Sequence, residues 1–158
     1  MATYICSENA SHWGAGATRE MLLRNIYVAD IGRSNTKGSR TTIYVDGEER
    51  NVIKTAHTRL EGLRPGDTLQ MLVRAEKAIY VAEVTGRAIY RVVNTHEHKE
   101  GQFYSHPSVI AARRGDKPAE GYGGLAGGLQ LEVQVPVSGW RRTTLPVEKQ
   151  PYATIQPA

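Results

Sequence analysis

The amino-acid sequence predicts a β-rich α+β protein, with a compact curved sheet or small β-barrel and one or two packed helices. Short runs of β-branched and aromatic residues recur along the chain, and turns rich in Gly, Pro and Asp separate them. The connections are too short for a parallel βαβ fold. A chain of 158 residues with 40% hydrophobic residues can bury a core. We expect one globular domain over residues 1–147 and an extended tail over residues 148–158, frayed after about Val147.

Periodicity and turn residues place the elements in order. Residues 14–25 are the best predicted helix, because Met21 and Leu22 share an apolar face. Asp46-Gly47 indicates a hairpin, although the polar residues 48–50 predict a loop longer than two residues. The alternation in residues 129–137 predicts a half-buried strand. Further strands are predicted at residues 26–31, 41–45, 51–55, 68–73, 78–84 and 88–93, and loops at residues 32–39 and 113–128.

The clearest local pattern lies between Leu60 and Tyr90. A Pro-Gly-Asp turn at residues 65–67 begins one predicted strand, and a polar break at residues 74–77 reverses the chain into the next. Both strands are rich in β-branched and aromatic residues. This pair therefore forms the predicted centre of the fold.

Leu-Arg-Pro-Gly-Asp at residues 63–67 and Ile-Tyr-Val-Ala-Glu-Val-Thr-Gly at residues 79–86 resemble the central hairpin of PUA-like domains, especially the EVE branch and its ASCH and YTH relatives. The aromatic and apolar run at residues 3–9 looks like the first strand of these families. His12-Trp13-Gly14 is similar to a segment that follows that strand in some EVE members. The resemblance implies a small barrel with a pocket in which aromatic walls grip a modified base.

Composition and charge indicate the partner and the setting. The single cysteine, Cys6, excludes an internal disulfide, favours a reducing cytoplasmic environment, and is expected to be a small buried residue. No apolar run is long enough to span a membrane, so no membrane partner is expected. The net charge is +4 and the sequence pI is about 9.3, which favours an anionic partner, nucleic acid first.

The leading interpretation is a non-enzymatic module that binds DNA or RNA and needs no cofactor, and the expected setting is bacterial or phage. Aromatic faces stack on a single-stranded or flipped base, and cations hold its phosphates. The predicted pocket is lined by Trp13, Tyr104 and His106, and the backbone is contacted by Arg19, Arg87, Arg113 and Arg114. Trp140-Arg141-Arg142 is a further basic patch. Tyr80 and Tyr90 are expected to pack within the sheet instead.

Three alternatives stay open. His96 and His98 are two residues apart and, with His106, have the residue types of a metal site, although a solvated surface loop is the simpler explanation of so polar a segment. Some ASCH-like proteins are small amidohydrolases, and Lys54, Thr55 and Glu83 would be the corresponding residues in a nucleoside or nucleotide hydrolase. Exposed lysine and glutamate are the ordinary explanation. The third alternative is a protein-interaction module, such as a phage inhibitor of a host defence complex.

Overall fold

The computed structural model describes residues 1–8, 17–29, 40–94, 124–125, 129–147 and 155–158. Within these ranges the β-rich α+β class is confirmed, but the sheets are open and none closes into a barrel. The elements are β1 (Thr3–Ser7), α1 (Ala17–Arg24), β2 (Ile26–Ala29), β3 (Arg40–Val45), β4 (Glu48–Ile53), α2 (Lys54–Gly62), β5 (Thr68–Val73), a 3₁₀ turn (Arg74–Glu76), β6 (Ala78–Glu83), β7 (Ile89–Asn94), β8 (Gly124–Leu125), β9 (Leu129–Pro136), β10 (Arg141–Arg142) and β11 (Ile155–Pro157).

The largest sheet, which we call sheet A, has the strand order β10-β6-β5-β1-β11. Its centre is the predicted hairpin, whose register runs from Thr68 opposite Glu83 to Val73 opposite Ala78. Lys77 closes the connection with a left-handed φ of 50° after the 3₁₀ turn. Strand β1 pairs with β5 in parallel, which the sequence did not predict. The connection between them includes both helices and three strands, so it is long enough for a crossover.

The predicted Pro-Gly-Asp turn is confirmed, and a buried carboxylate holds it together. Asp67 Oδ1 accepts a hydrogen bond from the backbone N–H of Ala2 at 2.9 Å, and Oδ2 accepts one from Arg64 N–H at 2.9 Å. Gly66 has a φ of +95°, which favours glycine, and its N–H donates to the Val84 carbonyl at 2.9 Å. The turn thus joins the start of β1 to both strands of the hairpin.

A second sheet, sheet B, has the order β2-β9-β7, and β8 also pairs with β9. The prediction of a half-buried β9 is wrong, because residues 131–135 are buried on both faces. Glu132 is only 2% exposed, and it forms an ion pair with Arg91 of β7 at 3.7 Å. The Gln134 amide also donates to the Glu132 carboxylate. These partners allow the polar face of the strand to be buried.

The hairpin β3–β4 has a two-residue turn, so the longer loop predicted from residues 48–50 is wrong. Val45 pairs with Glu48 across Asp46 and Gly47, whose φ values of 53° and 80° are those of a type I′ turn. The predicted strand over residues 51–55 is also too long. It ends at Ile53, and helix α2 begins at once with Lys54.

One buried core takes side chains from all three sheets and both helices. Met21 of α1 and Leu60 of α2 are fully buried, and Cys6 is buried as expected. Ile155 of β11 is 2% exposed, because β11 pairs antiparallel with β1. The fraying expected after Val147 is therefore wrong for residues 155–158. No helix in the described ranges is long and apolar enough to cross a membrane.

Candidate functional site

The connection between β9 and β10 joins the two sheets to the end of α1, and we call residues 136–140 the junction. The Val137 N–H donates to the Asn25 carbonyl at 3.0 Å, and the Pro136 carbonyl accepts from Thr85 N–H at 3.0 Å. Trp140 Nε1 donates to the Ile26 carbonyl at 3.1 Å. These long-range bonds fix the backbone at the point where α1, β6 and β9 meet.

Three exposed arginines flank the junction. Arg24 directly precedes Asn25, and Arg141 directly follows Trp140. Arg87 follows Gly86, which packs so closely on Pro136 that an added Cβ would lie 3.1 Å from Cγ of that proline. None of the three arginines forms an ion pair with a described residue. Among the described residues, three arginines without a carboxylate partner therefore lie next in the chain to residues that are held at the junction.

A shallow groove of about 270 Å³ begins at the junction and runs along β6. The Glu83 backbone is held there by two bonds, since its N–H donates to Ser138 Oγ at 2.9 Å and its carbonyl accepts from Ser138 N–H at 2.8 Å. The Glu83 and Arg141 side chains are both exposed. The groove is lined by Thr68, Val81, Ala82, Glu83, Ser138, Gly139 and Arg141.

A buried polar cluster lies at the carboxyl end of β1. Glu8 is 5% exposed, and its Oε2 accepts no hydrogen bond from the described residues. The Tyr27 hydroxyl donates to the Ser7 carbonyl at 3.2 Å. Burial raises the pKa of the Cys6 thiol, the Tyr27 hydroxyl lowers it, and the Glu8 charge raises it further, so the surroundings favour the neutral thiol over the nucleophilic thiolate.

His57 of helix α2 and Tyr90 of strand β7 form a polar contact that the sequence did not predict. His57 Nδ1 and the Tyr90 hydroxyl lie 3.1 Å apart, and the two rings meet edge to face. Burial raises the pKa of Tyr90, and the charge and hydrogen bond of Glu61 raise it further. His57 and Glu61 are one helical turn apart on α2, so they lie on the same side of the helix. This spacing could indicate a shared partner only if the helix had been predicted. Tyr80 and Tyr90 both pack against the core, as predicted.

The residues of the hydrolase alternative are not joined in the structure. Lys54 and Thr55 are exposed in the first turn of α2, whereas Glu83 ends β6. The C-terminal end of α2 leads to the turn beside Val84, whereas Lys54 and Thr55 lie at its N-terminal end. Eight residues of helix separate the two ends by about 12 Å along the helix axis. No hydrogen bond or ion pair in the described ranges joins Lys54 or Thr55 to Glu83.

Of the arginines predicted to contact a nucleic-acid backbone, Arg19 is exposed on α1 and Arg87 is exposed at the junction. Arg142 forms an ion pair with Glu76 at 3.4 Å. No metal-binding group of three or more His, Cys, Asp or Glu occurs among the described residues. Seven predicted site residues lie outside the described ranges: Trp13, His96, His98, Tyr104, His106, Arg113 and Arg114.

Comparison of the chain with protein-family models, with characterised proteins and with solved structures found no match.

Proposed function

We propose that this protein is a PUA-like nucleic-acid-binding module whose junction contacts the phosphate backbone. The observation behind the proposal is the set of three exposed arginines at the junction, Arg24, Arg87 and Arg141, which have no carboxylate partner in the described ranges. A guanidinium group binds phosphate through two parallel hydrogen bonds, and each neutralised phosphate releases counterions. The net charge of +4 supports the same partner.

The rigidity of the junction also favours this role. The backbone bonds from Val137 to Asn25 and from Thr85 to Pro136 hold the arginine-bearing segments at fixed positions. Groups that are held in place before binding lose less conformational entropy when the ligand arrives. Trp140 is half-buried with its indole N–H bonded to the backbone, so we assign it a structural role and no base-stacking role.

The PUA-like part of the proposal depends on the central hairpin. The Pro-Gly-Asp turn that carries the resemblance leads into an antiparallel hairpin, from Thr68 opposite Glu83 to Val73 opposite Ala78. In this proposal a single base enters an aromatic pocket made by Trp13, Tyr104 and His106, and the arginines hold the adjoining backbone.

The test is fluorescence anisotropy with labelled single- and double-stranded oligonucleotides at about 50 and about 200 mM salt. Three phosphate contacts give a slope in log K against log salt near −2.7 for duplex DNA and about −2.1 for single strands, so we expect affinity to fall about 40-fold and about 20-fold, respectively, between these salts. Arg87→Gln and Arg141→Gln should each make the slope shallower by about one.

Arg142→Gln is the matched control, because Glu76 already pairs with Arg142. It should change the salt slope less than either junction variant does. Absence of binding at low salt would refute the proposal and redirect the search to a protein partner. An effect of Arg142→Gln equal to that of Arg141→Gln would show that the junction is not the contact surface.

A further inference from the structure

The groove beside the junction contains a carboxylate and a guanidinium that face the same side of sheet A. Arg141 pairs with Val81 across β10 and β6, and Glu83 lies two residues beyond Val81. Residues that pair directly, or that are two apart on one strand, point to the same face of a sheet. Thr68 pairs with Glu83 and adds a hydroxyl to this face.

The two charged groups are not in direct contact in the structure. No ion pair within 4.0 Å joins Glu83 to Arg141, and neither side chain has a charged partner in the described part of the chain. Both line the same groove of about 270 Å³. This is just below the roughly 300–1,000 Å³ of small-molecule pockets, so the groove has room for one sugar and its phosphate.

We infer that the groove recognises ribose, so that the nucleic acid bound at the junction is RNA. Arg141 holds a phosphate, and the Glu83 carboxylate accepts a hydrogen bond from the neighbouring 2′-hydroxyl. An ionised carboxylate is an acceptor only and repels phosphate, so a direct hydrogen bond between Glu83 and a nucleic acid requires a donor on the ligand. The 2′-hydroxyl provides that donor in RNA and is missing in DNA. This inference rests on the proposed nucleic-acid-binding function.

Gly139 provides an independent way to test the groove. It lines the groove, and a Cβ added there would meet no atom within 4 Å. A larger side chain at this position should therefore enter open space without disturbing the fold. Gly139→Leu is expected to occupy space in the groove beside Glu83 and Arg141, whereas Arg24 and Arg87 do not line the groove.

The experiment compares single-stranded RNA, DNA and 2′-O-methyl RNA of one sequence made only of A and C, by anisotropy at low salt. The wild-type protein should bind RNA about tenfold more tightly than DNA, the effect of one charge-assisted hydrogen bond. It should bind 2′-O-methyl RNA about as weakly as DNA, because methylation removes the donor. Glu83→Ala and Gly139→Leu should each bring the ratio of RNA to DNA affinity close to one.

The affinity for DNA shows whether a variant has lost ribose recognition or has lost the binding surface as a whole. Glu83→Ala should bind DNA more tightly than the wild type does, because a negative charge that repels phosphate is removed. Glu49→Ala, an exposed glutamate of β4, is the matched control and should keep the RNA preference. Equal, salt-dependent binding of RNA and DNA by the wild type would overturn this inference and leave the proposed function standing. Absence of binding to all three oligonucleotides would overturn both.

Discussion

Replacing Asp67 with alanine removes the two hydrogen bonds that close the turn before β5. Both donors, the N–H groups of Ala2 and Arg64, lie 2.9 Å from the carboxylate in partly buried positions. A hydrogen bond to a charged acceptor contributes about 1.5–3 kcal/mol to stability. Because water can replace part of each lost bond, we expect Asp67→Ala to lower the free energy of unfolding by about 3 kcal/mol. Asp67→Asn keeps one acceptor oxygen and should cost about half as much.

The loss of stability caused by Asp67→Ala should be smaller in acid than at neutral pH. The N–H groups of Ala2 and Arg64 lower the pKa of Asp67 below its ordinary value of 3.8. A carboxylate with a lowered folded-state pKa stabilises the protein above its unfolded pKa, and this contribution is lost as the pH falls through the folded value. The difference in the free energy of unfolding between the wild type and Asp67→Ala should thus be largest at neutral pH. It should shrink in acid, as the pH falls below the ordinary pKa of an aspartate.

Urea denaturation of the three proteins, followed by circular dichroism at neutral pH and in acid, measures this difference. An unchanged m-value would show that the variants unfold as the wild type does. The reasoning is refuted if Asp67→Ala costs less than about 1 kcal/mol at neutral pH. A cost that does not change with pH would refute the assignment to the charged carboxylate.

Four other substitutions test the packing and the backbone by denaturant titration. Leu60→Ala empties a fully buried position of α2 and should cost about 2–5 kcal/mol; a loss below 1 kcal/mol would contradict its place in the core. Glu8→Gln removes the charge of a buried carboxylate whose Oε2 accepts no hydrogen bond from the described residues, and it should stabilise the fold by about 1 kcal/mol. Destabilisation would indicate a partner for Oε2. Gly47→Ala should lower the free energy of unfolding by about 1 kcal/mol, because Gly47 has a φ of +80°. Gly62→Ala should stabilise α2 by about 0.5 kcal/mol, because an added Cβ meets no atom within 4 Å and the φ of Gly62 is not positive. Equal effects of the two substitutions would contradict the turn assignment.

The sequence predicted those parts of the fold whose signals are local. The turn at residues 65–67 and the hairpin after it are encoded within about twenty residues, and both agree with the structure. Helix α2 has no such signal. Only Ala56 and Leu60 are buried on it, Ile53 provides no side-chain cap, and its two threonines are poor helix formers. It was therefore predicted in part as an extension of β4.

Other features depend on residues that are far apart in the sequence. Burial of Glu132 requires Arg91 of a neighbouring strand, so alternation in β9 alone could only suggest a half-buried strand. The arginines were visible in the sequence, but their grouping at the junction was not. It results from backbone bonds between Asn25 and Val137 and between Thr85 and Pro136. The groove at Glu83 and Gly139 arises from the same long-range packing.

The position of β1 between β5 and β11 has a consequence for the order of folding. Strand β1 has one partner more than 60 residues later in the chain and another about 150 residues later. Closing such loops has an entropic cost before any contact compensates it, so sheet A should assemble slowly. Until β11 docks, one edge of β1 presents unpaired N–H and carbonyl groups. Refolding at high protein concentration should therefore favour edge-to-edge association between copies, and dilution should suppress it.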